Sequence, residues 1–356
     1  MPRCWTVLSA PRPAIRNPEA RRSFPDAALF PLLGACLIAA LILGAAVGPF
    51  ALSPGTILSL IGAKLAGTGA QGAEATVLFN IRLPRMLAAA LVGAGLAGAG
   101  AAYQTLFRNP LVSPDILGVS AGAGFGVVLG ILLGLPVLVI QVPGFAGRLA
   151  TLGMVLLVAA LLRGQGEVLV MVLTGIALAA LAGAGISAVK ILADPEDQLP
   201  AITFWLLGSL ASDSIRDLAL GLPPIALGIL PLILMSWRIG VMAMGEDEAR
   251  ALGIDTGRLR LVIIAAATLI TAAAVAVSGL IGWVGLMVPH MARFAVGARF
   301  DRLLPASLLI GAAFLVLVDT AARGLAMTEI PLGILTALMG APVFVWLLAR
   351  GRREWS

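Results

Sequence analysis

Few residues in this chain are suited to chemistry. His290 is the only histidine, two lysines stand against 22 arginines, and the cysteines are Cys4 and Cys36. Leu65 follows Lys64 and Ile191 follows Lys190. A phosphate-cradling loop needs Gly-Lys-Ser/Thr, so no nucleotide site of that kind is encoded here, and any ATP chemistry belongs to a partner. Cys4 and Cys36 fall in the N-terminal tail and the first apolar stretch and give no disulfide or zinc framework. Neither H-E-x-x-H nor a nucleophile elbow occurs. An intramembrane histidine is a functional candidate by default. His290, however, directly follows Pro289, and a packed or hydrogen-bonded His at a proline kink is favoured over a haem ligand. Tyr103 and the scattered Met residues are read as packing in the same way.

Three charged patterns carry more. Arg82 and Arg85 lie three apart, on one helix face. Asp319 and Arg323 stand at i,i+4, where each lowers the other's cost near a membrane. The run Gly245-Glu246-Asp247-Glu248-Ala249-Arg250-Ala251-Leu252-Gly253 reads as a short helix. Its acids sit at the positive end of the dipole, and Gly253 serves as a C-cap.

The elements that must position these groups follow from composition. The chain has 356 residues, 60% hydrophobic and only 12% charged, with a mean hydropathy of +1.04. A soluble fold of this size needs polar residues to cover it, so a soluble enzyme, a secreted disulfide scaffold and a disordered chain are all excluded. What remains is an all-α integral membrane protein. Its net charge of +6 reflects arginine-rich cytoplasmic loops rather than nucleic-acid binding.

Spans are expected from Ala27 through the first half of the charge-free stretch to Ala63, then at Met86–Phe107, Ile116–Leu135, Phe145–Leu162, Val168–Val189 and Leu218–Trp237. Arg148 is placed near the end of the fourth span, where it can snorkel. Leu261–Met291 is too long for one upright helix, and Gly279, Gly282, Gly285 and Pro289 interrupt it. Reading it as two spans, followed by Leu303–Ala322 and Ile330–Ala349, gives ten. Both termini are then cytoplasmic, with 17 of the 24 Lys and Arg inside. The glycine rows of the second, third and fifth spans are read chiefly as close helix packing.

Further patterns stand in order along the chain: Arg82-Leu83-Pro84-Arg85, Arg108-Asn109-Pro110-Leu111, Pro114-Asp115-Ile116-Leu117-Gly118, Trp205-Leu206-Leu207-Gly208-Ser209, the 245–253 run, Gly285-Leu286-Met287-Val288-Pro289-His290, Asp319-Thr320-Ala321-Ala322-Arg323, and Glu329-Ile330-Pro331-Leu332-Gly333 leading to Gly340-Ala341-Pro342. Together they resemble the membrane subunit of FecCD-type ABC importers, which take up iron–siderophore complexes, haem or cobalamin. The resemblance covers residues 28–350. Departures are small, such as Val112 and Trp283.

The resemblance implies a cobalamin-permease-like type II importer fold with inverted repeats, the sixth to tenth spans opposing the first five. It implies no enzyme activity and no cofactor on this chain, ATP and magnesium being held by the partner ATPase. Implied partners are a second permease subunit (the same chain or a paralogue), two ATP-binding subunits, a substrate-binding protein and membrane lipid, with no nucleic acid. The location would be a bacterial cytoplasmic membrane.

By the same resemblance, residues 1–27 form a cytoplasmic tail, 28–350 the permease with a coupling loop at about 238–258, and 351–356 a second cytoplasmic tail. Arg82, Arg85 and Arg323 would dock the binding protein. Gly245, Glu246, Asp247, Glu248, Ala249, Leu252 and Gly253 would couple to the ATPase. Gly164, Gln165, Gly166, Val168 and Leu169 would belong to the cytoplasmic gate. Rival readings are an ion-coupled secondary transporter, which would need ionisable groups near mid-membrane, and an intramembrane enzyme.

Overall fold

In the computed structural model, residues 26–67, 71–162, 167–211, 215–326 and 328–351 are described, and they are almost entirely helical. Among the described residues six helices are long and apolar enough to cross a membrane, or seven if a bent pair is one span, with shorter apolar helices between them.

The bundle is built around one small-residue helix. A helical run begins with α3 (Ala73–Thr76), passes through a π-helical turn at Val77–Arg82, and continues as α4 (Leu83–Leu106). The wide turn has a local cause. Pro84 has no N–H to give, and its ring crowds the carbonyl four residues back, so the ladder loosens just before it. Most of α4 is buried. Around it pack α1 (Asp26–Ala46), α9 (Ile215–Leu234), α12 (Thr256–Ser278), α13 (Val284–Val296) and α14 (Phe300–Gly324). Such packing needs close backbone approach, and the glycines supply it. A Cβ on Gly93 would stand 2.2 Å from the Gly311 carbonyl oxygen on α14, and one on Gly100 would stand 1.9 Å from that of Gly285 on α13. The packing reading of these glycine rows fits that geometry.

A second group consists of α5 (Val119–Leu132), α6 (Val137–Leu161) and α7 (Glu167–Leu192). Here Gly122, Gly126 and Gly147 let α5 and α6 touch backbone to backbone. A 3-10 turn at Pro114–Leu117 leads into α5, which is therefore shorter than the expected third span. Helix α6 is longer than expected, because Pro143 is accommodated within it. This relocates Arg148: it is not at a span end but about 17 Å into a 25-residue helix, and it is 1% exposed. The snorkelling expectation is overturned.

The ambiguous 261–291 region divides in two, α12 and α13, separated at Gly279–Trp283. Helix α9 is followed at a 64° bend by α10 (Ser236–Met242) and then α11 (Glu246–Ala251). Helix α2 (Pro54–Leu65) follows α1, α8 (Gln198–Leu207) lies against α5, and α15 (Leu332–Gly351) closes the described chain against α8, α13 and α14.

Candidate functional site

The chemistry-bearing residues gather in three places: the two ends of α4 and a break between helices. At the N-terminal end of α4, the C-terminus of α1 leaves its last carbonyls without intrahelical partners. Two arginines fill that role. Arg82 donates Nη1 to the Ala45 and Ala46 oxygens and Nη2 to Phe50 O. Arg323 on α14 donates Nη2 to Gly44 O at 3.2 Å and Nη1 to Val47 O at 3.4 Å. Cations at a helix C-terminus also complement its dipole.

Arg85, one turn beyond Arg82, donates Nε to Asp319 Oδ1 at 2.7 Å and Nη1 to both Glu329 oxygens at 2.8 and 2.9 Å. Asp319 is fully buried, and its other oxygen accepts from Arg323 Nε at 3.1 Å. One carboxylate thus bridges two arginines and ties α4 to α14, while Glu329 ties in the segment before α15. The structure therefore brings Arg82, Arg85 and Arg323 together. It also buries all three, at 3, 4 and 6% exposure, with their donors on internal partners. The i,i+4 pair was visible in sequence. The pairing of Arg85 with Asp319, 234 positions away, and the role of Glu329 were not, because no local spacing encodes them.

At the other end of α4 lies α11. Gly245 precedes it, and Glu246, Asp247 and Glu248 form its first turn. It ends at Ala251, with Leu252 as the cap and Gly253 at φ +76°. Gly253 N–H donates to Arg250 O at 2.9 Å and Ile254 N–H to Ala249 O at 3.0 Å. This is the Schellman arrangement, and the left-handed residue it requires is glycine. Ala249 and Ile254 are both buried in the main core, while Leu252 and Met244 are exposed. Glu246 pairs with Arg250 and with Arg260 at the start of α12.

The third place is a junction of broken helices. Gly208 and Gly279 both have positive φ, and a Cβ on either would come within 2.7 Å of the other segment's backbone carbonyl. Ser209 N–H donates to Ser278 O, and Leu332 N–H to Gly208 O, so the ends of α8 and α12 and the start of α15 are stitched together. Beside this junction is a cavity of about 830 Å³ between α5, α6, α8, α9 and α12, with Trp205, Phe204, Gln141, Ser209 and Ser278 in its wall.

Of the expected gate residues, Gly164, Gln165 and Gly166 lie outside the described residues. Val168 and Leu169 fall in the first turn of α7, where Leu169 is exposed. Leu169 is not in the cavity wall. His290 packs edge-on against Phe294 at 5.2 Å. Among the described residues no group of His, Cys, Asp and Glu is placed to hold a metal ion.

The FecCD transport family model matches residues 36–350. The molybdate import system permease protein MolB of Haemophilus influenzae is 39% identical over 318 residues, covering 88% of this chain and 94% of that protein. The hemin transport system permease protein HmuU of Yersinia pestis is 37% identical over 308 residues, covering 84% and 91%. Among solved structures, an inward-facing metal-chelate type ABC transporter matches with a TM-score of 0.82 at 36% identity, over 90% of this chain and 99% of that one. A second, PsaBC from Streptococcus pneumoniae in complex with Fab, matches with a TM-score of 0.55 at 16% identity, over 82% and 95%, a likeness of fold alone.

Proposed function

This chain belongs to the FecCD transport family, and from that premise we propose that it moves a metal-bearing anion or chelate across a bacterial cytoplasmic membrane after delivery by a substrate-binding protein. The chain is the membrane permease subunit of an ATP-driven importer and not an enzyme; the ATPase is a separate subunit. The observation that carries the reading is the 0.82 structural match together with the family match along nearly the whole chain. The cargo class rests on the relatives, whose named cargoes are iron chelates, hemin, cobalamin and molybdate. An iron–siderophore, haem or cobalamin remains our first assignment.

The finer architecture belongs to the same proposal. Ten spans place residues 1–27 and 351–356 in the cytoplasm, and two permease chains form the pathway between them. The α11 end then faces two ATPases that hold ATP and magnesium, and the arginine end faces outward. A rigid short helix suits coupling because it passes a domain rotation to the bundle as a push. Burial of α11's Ala249 and exposure of Leu252 support that role.

For docking, we propose that Arg82, Arg85 and Arg323 shape the outer face as a framework. Five charged side chains meet there, three positive and two negative, which leaves an excess positive charge. Such a charge steers an acidic partner and fixes its register. Direct pairing of Arg85 with a partner carboxylate would proceed by displacing Glu329, its half-exposed internal counter-ion. We assign Gly164, Gln165, Gly166, Val168 and Leu169 to the cytoplasmic gate on the family resemblance alone.

The test is uptake by proteoliposomes holding the permease with its ATPase, supplied with loaded binding protein. Uptake should require ATP and survive collapse of the proton gradient. Uptake driven by a proton gradient without the ATPase would overturn the reading.

A further inference from the structure

Arg148 is a cation in the middle of a membrane helix, and its surroundings leave it incompletely paired. Among the described residues its one hydrogen bond runs from Nη2 to Ser120 Oγ at 3.5 Å, the outer limit for such a bond. Ser120 in turn donates to Asp115 Oδ1. The Asp115 carboxylate acts on the guanidinium electrostatically, yet among the described residues no carboxylate lies within ion-pair distance of it. Nε and Nη1 are buried with no acceptor among the described residues.

A buried charge left in this state is strongly disfavoured, because desolvation is offset only when the remaining hydrogens find acceptors. Arg148 also lines a void of about 20 Å³ between α5, α6, α8 and α12, walled by Ala123, Val127, Phe145 and Trp205. That volume holds one water or one atom of similar size. Phe145, Gln141, Trp205 and Ala276 are shared between this void and the 830 Å³ cavity, so the two adjoin. The Gln141 amide is turned to Ala276 O at 2.8 Å.

We propose that Arg148 anchors an intramembrane anion site. Its ligand is a negatively charged oxygen or halide: an oxo, carboxylate or catecholate oxygen of the cargo reaching in from the larger cavity, or a free small anion. Water could accept from the two free N–H groups but would leave the charge standing. An anion satisfies both, and the apolar walls strengthen the attraction. Asp115 compensates the charge from the far side through Ser120, so the guanidinium is held without its inner hydrogens being used. The site itself stands on geometry; its use by cargo rests on the importer reading above.

Trp205 provides the readout, since it lines the void. The full-length chain in nanodiscs is titrated with sodium bromide at constant ionic strength while tryptophan fluorescence is followed. The expected result is a saturable quenching component that disappears in Trp205→Phe and is weakened at least about tenfold in Arg148→Gln. Arg148→Lys, which keeps the charge but loses the planar fork, should weaken it less.

Sodium molybdate is then added as competitor. Displacement of bromide by molybdate supports a site open to cargo oxyanions, and saturable bromide quenching without displacement supports one restricted to free halide. Linear quenching of the unaltered protein, with no saturable part, overturns the proposal whether or not either Arg148 variant folds. Because no ATPase or binding protein takes part, that failure leaves the importer reading untouched. Conversely, saturable quenching in a protein whose uptake ignores ATP would overturn the importer reading alone.

Discussion

The two ends of α4 are built on opposite principles. At its N-terminal end, four charged side chains are drawn into the protein and the half-exposed Glu329 closes over them. Asp319 is fully buried, Arg82 and Arg323 cap the C-terminus of α1, and Arg85 is gripped by two carboxylates. At the other end, most charges of α11 stay in solvent: Asp247 and Arg250 are largely exposed, and what fixes the helix is backbone geometry at Gly253, the buried Ala249 and Ile254, and the pair of Glu246 with Arg260. The first end spends charge on holding helices α1, α4 and α14 in place. The second seats a small rigid helix on the bundle through Ala249 and leaves Leu252 exposed at its end. On the proposed reading, a docking surface must keep its shape and a coupling helix must be pushed, and the two call for these different solutions.

The comparison is broken most sharply at Asp319. Asp319→Asn leaves the shape intact but takes the paired carboxylate from buried Arg323 and leaves Arg85 with Glu329. Breaking a buried ion pair costs about 3–5 kcal/mol, so thermal unfolding of the purified chain in detergent should shift by many degrees. A shift as small as that of a surface substitution would show that the arginine end is not a structural lock. Glu329→Gln should come next, at about 1.5 kcal/mol, the low end for a hydrogen bond to a charged group and reduced by the exposure of Glu329. It has a second readout. If a partner carboxylate takes the place of Glu329 on Arg85, this variant should bind the substrate-binding protein more tightly in a pull-down titration. Weaker binding would count against displacement.

How much of this was legible in the sequence depends on the range of the interaction. The α11 segment was readable because a Schellman end is local: acids in the first turn and a glycine past the last are enough to place it. The i,i+4 partnership of Asp319 and Arg323 is likewise local. The Arg85–Asp319–Glu329 network was not readable, since it forms only when α4 and α14 meet through Gly93 and Gly311. Arg148 was misplaced for a related reason. The span expected at Phe145–Leu162 puts Arg148 near its end, whereas α6 begins at Val137, accommodates Pro143 and carries the arginine to mid-helix. The short α8 was also missed, because an apolar ten-residue run beside a span has no periodic signal of its own.

The smaller effects belong to α11, and they separate stability from coupling. Gly253→Ala forces a side chain into a left-handed residue, which should lower stability by about 1 kcal/mol and loosen the end of the helix. Leu252→Ser should do less, within about 0.5 kcal/mol, because an exposed side chain away from caps and core contributes little to folding. Its effect should instead appear in function. If α11 seats in a cleft on the ATPase, removing the exposed leucine weakens that seat, so uptake per ATP hydrolysed should fall while the melting temperature stays put. Equal uptake by Leu252→Ser and the unaltered protein would mean that this exposed leucine is not the contact, and that α11 serves only to lead the chain from α10 into α12.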